Sequence, residues 1–230
     1  MSSLTVRAAL CCVVVIVLIG APPFSDAQLD PSFYNSTCSN VHSIVREVLI
    51  NVSKSDPRIL GSLMRLHFHD CFVQGCDASI LLNDTSTVVS EQGAAPNNNS
   101  IRGLDVVNQI KTAVENTCPN IVSCADILAL AAEISSVLAN GPDWKVPLGR
   151  RDSLTANRTL ANQNLPGPNF NLTRLKSAFT AQNLNTTDLV ALSEIELHRI
   201  QFKSPNNKMK MIPIIGEADL AMGNQGAEEN

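Results

Sequence analysis

The sequence predicts a mainly α-helical protein, and three observations lead to this class. In several stretches apolar residues recur three and four positions apart, which is the spacing of one helix face. Residues that commonly begin and end helices flank those stretches. Stretches in which apolar and polar residues alternate, as they do in half-buried strands, are not evident.

The first two helices are predicted between residues 41 and 69. The first has an apolar face formed by Val41, Ile44, Val45, Val48 and Leu49. Ser55-Asp56-Pro57 indicates the start of the second, because it offers a capping side chain, an acid for the first turn and a proline whose missing N–H costs little there. Apolar residues then dominate up to His69, so we expect this helix to lie in the interior.

Residues 71–99 lack helical periodicity, so the sequence predicts a long ordered loop there, and a loop of this length usually binds a ligand or a metal. Further helices are expected from Leu104 up to Cys118, after the capping Ser123, and in stretches that begin near Leu172 and Leu189. An extended segment is expected at 144–153. Residues 194–230 are expected to form a divergent, poorly structured tail.

Residues 1–27 have the features of a secretory signal peptide, because Arg7 precedes a short apolar run and small residues lead to cleavage after Ala27. The run is too short to span a bilayer comfortably, which disfavours an N-terminal anchor. Glycosylation sequons agree with secretion to the extracellular space or cell wall, with the vacuole as another destination. They begin at Asn35, Asn51, Asn83, Asn98, Asn157, Asn171 and Asn185.

Composition limits the class of protein further. The formal net charge of −4 and the pI near 5.5 do not indicate a nucleic-acid-binding surface. No transmembrane segment follows residue 27, and the remaining length suits one domain. Of seven cysteines, Cys11 and Cys12 belong to the signal peptide, and an odd number in a secreted protein leaves one thiol unpaired. The remaining cysteines are Cys38, Cys71, Cys76, Cys118 and Cys124.

The densest group of reactive side chains lies between Arg65 and Asp77. Arg65 and His69 are four positions apart on the predicted helix and therefore share a face. A base beside a fixed cation suits a reaction that needs proton transfer and stabilisation of negative charge. His67 faces elsewhere, which favours a buried structural histidine. Zinc held by His67 and His69 would require a strand, so the predicted helix disfavours it.

The loop after His69 offers hard oxygen ligands. Asp70, Asp77, Ser79 and Glu91 could supply them, and Gly75 allows a carbonyl to turn inward. Calcium takes several oxygens of this kind from one loop. A solvated acidic turn is the alternative. Cys71 and Cys76 would close a small ring that restrains the loop.

Several motifs, in this order, resemble the secreted plant (class III) haem peroxidases. They are Arg65-Leu66-His67-Phe68-His69-Asp70-Cys71-Phe72-Val73, Gly75-Cys76-Asp77-Ala78-Ser79, Glu91 with Pro96-Asn97, Val122-Ser123-Cys124-Ala125-Asp126, Leu148-Gly149-Arg150-Arg151-Asp152 and Asn164-Leu165-Pro166. The resemblance covers residues 28–193. It implies the plant haem-peroxidase fold, haem b, calcium, and a secreted monomer that oxidises phenolic donors with H₂O₂.

The resemblance also implies a role for individual residues. His69 would be the distal acid–base group, Arg65 would stabilise the transition state, and Asn97 would orient His69. Phe68 would wall the haem pocket and Pro166 would border the donor site. Asp70, Val73, Gly75, Asp77 and Ser79 would bind the distal calcium, which Glu91 would reach through water. The implied disulfides are Cys38–Cys118 and Cys71–Cys76, with Cys124 unpaired.

The sequence departs from the family after Ser193. The position of the histidine that ligates haem iron falls on Glu196, so no iron ligand is identified, and His198 would lie on another helix face. The second calcium site has no counterpart, and we expect a distal lobe with an incomplete proximal lobe. A truncated or mis-spliced product is one hypothesis. The alternative function is a non-catalytic, calcium-binding peroxidase remnant.

Overall fold

A computed structural model describes residues 29–167 and 169–201, with the backbone alone for 194–201. The predicted mainly α class is confirmed. The helices are α1 (Val41–Ser55), α2 (Ile59–Gln74), α3 (Leu104–Thr117), α4 (Cys124–Leu138), α5 (Arg158–Asn164), α6 (Leu172–Thr180) and α7 (Thr186–Gln201). Two 3₁₀ turns, Ser79–Leu81 and Glu91–Gly93, interrupt the loop after α2. Asp30 and Leu148 form an isolated antiparallel bridge.

Helices α2 and α4 form the centre of the molecule and pack against each other. Both are apolar around most of their circumference, so both are buried on nearly every side. Helices α1 and α3 are amphipathic, and each covers this pair with one apolar face. A second apolar cluster, formed by the C-terminal half of α2 with α5, α6 and α7, includes Phe72, Leu165, Phe179, Leu184 and Leu189. Helix α2 therefore lies between two apolar clusters.

The structure corrects the predicted boundaries of α2. Ser55 ends α1, and Asp56 caps that helix while its carboxylate pairs with Arg102 at 2.6 Å. The expected capping role of these residues at the start of α2 is therefore wrong. Helix α2 also continues past His69 to Gln74, because Cys71, Phe72 and Val73 remain buried in the second cluster. Tertiary packing thus extends the helix beyond the point at which its sequence periodicity ends.

Two predicted segments fall partly or wholly outside the described residues. The backbone stays helical up to Gln201, so the first residues of the predicted tail continue α7. The rest of that tail, 202–230, and the predicted signal peptide, 1–27, lie outside the described residues.

No helix among the described residues combines the length and apolar character needed to cross a bilayer.

Two disulfides join elements of the fold. Cys38–Cys118 links the N-terminal turn to the end of α3, with Cα atoms 5.8 Å apart. Cys71–Cys76 closes the loop at the end of α2. These are the pairings that the resemblance implied. Cys124 forms no disulfide within the described part of the chain and is half-buried at the start of α4, where burial and then the Asp152 carboxylate raise the pKa of its thiol to about 11.

A buried ion pair ties α4 to the extended segment that follows it. The Asp126 carboxylate accepts hydrogen bonds from the Tyr34 hydroxyl at 2.7 Å, from the Gly149 amide at 2.7 Å and from the Arg150 guanidinium at 3.2 Å. Burial, followed by this carboxylate, raises the pKa of Tyr34 above its ordinary value. Asp126 is fully buried, so these neighbours compensate its charge in place of water.

Replacing Asp126 with Ala should destabilise the fold by about 3–5 kcal/mol, because the buried Arg150 charge would lose its partner. Urea unfolding followed by circular dichroism measures this change. Tyr34→Phe should cost about 1 kcal/mol, since it removes one hydrogen bond to the same carboxylate. Asp143→Ala, at an exposed carboxylate, is the matched control. Equal stability of Asp126→Ala and this control would show that the Asp126–Arg150 ion pair does not stabilise the fold.

Candidate active site

Helix α2 places Arg65 and His69 on one face, as their spacing predicts. His69 is 5 % exposed, whereas Arg65 is half-buried nearer to solvent. The buried position keeps the imidazole in a low-dielectric environment in which hydrogen bonds to it are strong. The two side chains therefore offer a base and a cation to the same space.

A chain of two hydrogen bonds fixes the tautomer of His69. The Asn97 Nδ2 group donates to the Glu91 carbonyl at 2.8 Å, so the Asn97 Oδ1 atom faces the imidazole. This oxygen lies 2.5 Å from His69 Nδ1. An amide oxygen only accepts hydrogen bonds, so Nδ1 carries a proton, and in the neutral imidazole Nε2 carries the lone pair. Nε2 is therefore the atom that can act as a base.

The turn 94–100, which carries Asn97, also holds Arg65. The Arg65 Nη1 atom donates to the Ser100 carbonyl at 3.1 Å. Nη2 lies 3.3 Å from Ser100 Oγ and 3.4 Å from the Pro96 carbonyl. The sequence indicated Arg65 and Asn97 but not Ser100, because a serine in an irregular loop carries no periodic or motif signal.

Phe68 lies at the edge of this site within an aromatic cluster. Its ring meets the His69 ring edge-on at 5.4 Å between centroids and packs against Phe72 at 4.3 Å. Phe179, from α6, approaches Phe72 at 5.0 Å and Phe68 at 6.2 Å. Phe68 remains half-buried. An apolar wall therefore adjoins the imidazole, and Phe179 completes it from a helix whose sequence contains no signal for this role.

Pro166 lies two residues after the end of α5 and is half-buried. Its neighbour Leu165 is buried in the second apolar cluster, against which Phe68 packs. The Asn164 side chain donates to the Phe72 carbonyl at 3.1 Å and so attaches the end of α5 to α2. Pro166 is thus connected to the Phe68 side of the site through these contacts, and its role at a donor site stays a prediction.

The residues expected to bind calcium surround the C-terminal end of α2. Asp70 is fully buried, and its carboxylate accepts from the Ala78 amide at 2.9 Å and the Ile80 amide at 3.3 Å. Asp77 accepts from the Ser79 amide at 3.0 Å. The Val73 carbonyl belongs to the last turn of α2, where intrahelical partners are lacking. Gly75 has a φ of 92°, which favours glycine and turns the chain after the helix.

Electrostatics and unsatisfied oxygens support a cation at this position. Burial, then Asp77 and Glu91, raise the pKa of Asp70 well above its ordinary 3.8, and burial also raises the pKa of Asp77 and of Glu91. The Ser79 Oγ and Glu91 Oε2 atoms are buried without a hydrogen-bond partner among the described residues. A divalent cation would neutralise the carboxylates and use these oxygens. The donor set therefore fits calcium, which takes about six to eight oxygens.

Neighbouring segments hold the loop that carries Asp77 and Glu91 in place. The Asn157 amide donates to Glu91 Oε1 at 2.9 Å, and the Ser153 amide donates to the Asp77 carbonyl at 2.8 Å. The Arg158 guanidinium joins the Asp84 carboxylate at 2.8 Å and the Ser90 carbonyl at 2.7 Å. These supporting residues were not identified in the sequence, since Arg158 and Ser90 are 68 positions apart.

His67 is a buried histidine next to the Cys71–Cys76 disulfide, with its ring nitrogens 3.7 Å from the Cys71 sulfur. These three side chains are close enough to share a metal, but the two sulfurs are bonded to each other and are not thiolate ligands. His67 and His69 both lie in α2, which does not support a zinc ion between them. His67 is consistent with the expected structural role.

The position expected for an iron ligand lies on α7. Glu196 and His198 belong to the helical backbone, but their side chains lie outside the described residues. Helix α7 packs against α2.

Comparison with known proteins agrees with the motifs. A family model described as "Peroxidase" matches residues 45–219, beyond the predicted boundary at Ser193. Peroxidase 15 of Ipomoea batatas is 61% identical over 170 residues, which are 74% of this chain and 52% of that protein. Peroxidase 54 of Arabidopsis thaliana is 56% identical over 181 residues, 79% of this chain and 50% of that protein. The chain spans about half the length of the curated relatives it matches.

Calcium should change how the stability of the fold depends on pH. Without it, the raised carboxyl pKa values mean that the folded state binds more protons than the unfolded state, so stability should fall as pH rises above 3.8–4.5 towards those raised values. Saturating calcium should remove this loss and raise Tm by about 5–10 °C at a hundred times Kd. Thermal scans from about pH 4 to 8 with calcium or a chelator measure both effects.

Asp70→Asn is the matched variant, since it keeps the size of the side chain while removing one buried charge. This variant should reduce both the change of Tm with pH in the absence of calcium and the rise in Tm when calcium is added. Asp143→Asn, at an exposed position, should leave both unchanged. If Tm changed with pH in the same way in calcium and in chelator, calcium binding at this site would be ruled out.

Proposed function

The chain belongs to the peroxidase family, and on this premise we propose that its central site cleaves hydrogen peroxide and oxidises phenolic donors with the help of haem b. The observation that carries the proposal is the chain from the Glu91 carbonyl through Asn97 to His69, which leaves Nε2 as the proton acceptor. The balanced reaction consumes one H₂O₂ and two donor phenols, and it yields two waters and two phenoxyl radicals.

His69 would act as both base and acid. Its Nε2 atom would take a proton from one peroxide oxygen and return it to the other oxygen as that one leaves as water. Asn97 supports this role by holding the proton on Nδ1. The opposite tautomer would present an N–H to peroxide and could not begin the transfer.

Arg65 would stabilise the negative charge that develops on the departing oxygen. A guanidinium is protonated throughout the physiological pH range, so its charge does not depend on the proton transfers at His69. Its contacts with the turn 94–100 hold it on the face of α2 that also carries His69. A fixed cation requires little reorganisation when the charge appears.

Haem would supply the redox centre: two electrons pass to peroxide there, and they are replaced one at a time by two donor phenols. Arg65, Phe68 and His69 would line its peroxide side, because they occupy one apolar-walled region of α2. Glu196 stands at the family position of the iron ligand. Carboxylates are uncommon haem ligands, which makes haem retention the decisive property of this chain.

Calcium would be held by Asp70, Asp77 and Ser79 together with the Val73 and Gly75 carbonyls. Its proposed contribution is structural, because Glu91 links the acidic loop to Asn97. The Glu91 side chain is directed into the acidic cluster, while its backbone carbonyl accepts from Asn97. Ordering the loop with calcium would therefore also order the partner of His69.

The donors are proposed to be small phenols that reach the site along the Phe68 and Pro166 side. We also propose that the protein is secreted as a monomer to the extracellular space. The predicted signal peptide at 1–27 and the sequons support the secretory route. The sequon asparagines at 35, 51, 83, 98, 157, 171 and 185 are all exposed, so the fold leaves room for glycans there.

A second candidate is a calcium-binding protein without peroxidase activity. Glu196 at the ligand position favours it, because the calcium loop and the His69 network would persist even if haem were not retained. The two candidates share the fold and the calcium site. They differ only in whether haem binds and reacts.

Haem reconstitution decides between the candidates. The protein with added haemin should show a Soret band and should oxidise guaiacol in the presence of H₂O₂. His69→Ala should lower this turnover by about 10²- to 10⁴-fold, because the proton-transfer group is removed. His42→Gln, at an exposed histidine on α1 whose ring lies 3.1 Å from the Glu133 carboxylate, is the matched control, because it keeps a hydrogen-bond donor for that buried group, and it should retain full turnover.

A folded, calcium-responsive protein that gives no Soret band would instead support the second candidate. A Soret band with turnover that is equal in His69→Ala and the original chain would contradict the proposed role of His69.

A further inference from the structure

We propose that Ser100 is a positioning residue for Arg65 and that its hydroxyl sets the plane of the guanidinium beside His69. The inference rests on the proposed function and deepens it, because it concerns the cation assigned there to transition-state stabilisation. The contacts themselves are features of the fold and do not depend on bound haem.

Ser100 offers two acceptors to one guanidinium. Its carbonyl accepts from Arg65 Nη1 at 3.1 Å, and its hydroxyl oxygen lies 3.3 Å from Nη2. The Pro96 carbonyl lies 3.4 Å from the same Nη2 atom. Acceptors for both terminal nitrogens define the orientation of a planar group, which a single acceptor would leave free to rotate.

The hydroxyl of Ser100 is itself fixed in direction. Its oxygen lies 2.6 Å from the Pro96 carbonyl, to which it donates its proton, and 3.2 Å from the Asn97 carbonyl, the longer of the two contacts. With the proton directed there, the lone pairs of the oxygen are available to accept from Arg65. Backbone bonds from Ser100 N to the Asn97 carbonyl and from Asn97 N to the Ala94 carbonyl, both 2.9 Å, keep the turn closed.

The same turn therefore holds both functional side chains of α2. Asn97 determines the tautomer of His69, and Ser100 with Pro96 determines the orientation of Arg65. Asn97 is fully buried, whereas Ser100 is exposed at the end of the turn. A substitution at Ser100 therefore perturbs Arg65 while keeping the Asn97 side chain that contacts His69.

Chemical labelling of Arg65 with phenylglyoxal tests the inference without haem. The protein for this test is produced without glycans, because Ser100 is also the third residue of the sequon that begins at Asn98. Ser100→Ala should raise the labelling rate of Arg65, read by peptide mass spectrometry, by about three- to tenfold, because a hydrogen bond to a charged group is lost. Ser100→Thr keeps the hydroxyl and should label at the original rate. Arg151, exposed and far along the chain, is the internal reference in every digest.

A second measurement separates positioning from general loosening of the turn. Hydrogen exchange of the Asn97 amide, which donates to the Ala94 carbonyl at 2.9 Å, should be equally slow in Ser100→Ala and the original chain. Unchanged labelling of Arg65 in Ser100→Ala would overturn the proposal. Faster exchange of the Asn97 amide together with faster labelling would also overturn it, because the hydroxyl would then stabilise the whole turn.

The labelling result stands even if the reconstituted protein has no peroxidase turnover, so failure of the proposed function is distinguishable from failure of this inference. Where turnover is present, Ser100→Ala should lower kcat/KM for H₂O₂ and leave the dependence on phenol concentration unchanged. An equal decrease of kcat/KM for H₂O₂ and for the phenol would contradict a specific effect on Arg65.

Discussion

The hydrogen bond between His69 Nδ1 and Asn97 Oδ1 is the interaction on which the proposed chemistry of this site depends. It assigns the proton to one nitrogen and thereby makes the other nitrogen basic. The bond exists because the loop after α2 returns to place Asn97 beside the helix, and because the Glu91 carbonyl holds the Asn97 amide in one orientation. The packing of α2, the path of the loop after it and the position of Glu91 therefore all affect this one contact.

Helix α2 combines two demands that usually conflict. It lies enclosed between two apolar clusters, yet it carries Arg65, His69 and Asp70. Each polar group is accommodated locally: His69 by Asn97, Arg65 by the turn 94–100, and Asp70 by two backbone amides. Polar groups buried without such partners would offset part of the free energy that the apolar contacts of the helix contribute.

Much of the fold could be predicted from the sequence, because helical periodicity reports which face is buried. The errors have physical causes. Ser55-Asp56-Pro57 has the composition of a helix start, but the preceding helix uses Ser55 as its last residue and Asp56 as its cap. Helix α5 was not predicted, since its seven residues bury only Ala161 and give no periodic pattern. Arg65, His69 and Asn97 were recognisable through motifs, whereas Ser100 and Arg158 depend on contacts between distant segments.

The turn 94–100 has a consequence for how such a site can change during evolution. One short segment contacts both His69 and Arg65, so an insertion or deletion there would disturb both contacts at the same time. Substitutions that keep the length of the turn can vary the exposed end and leave Asn97 in place. An exchange of one exposed side chain therefore disturbs fewer contacts of this turn than a change in the spacing between Asn97 and Ser100 would.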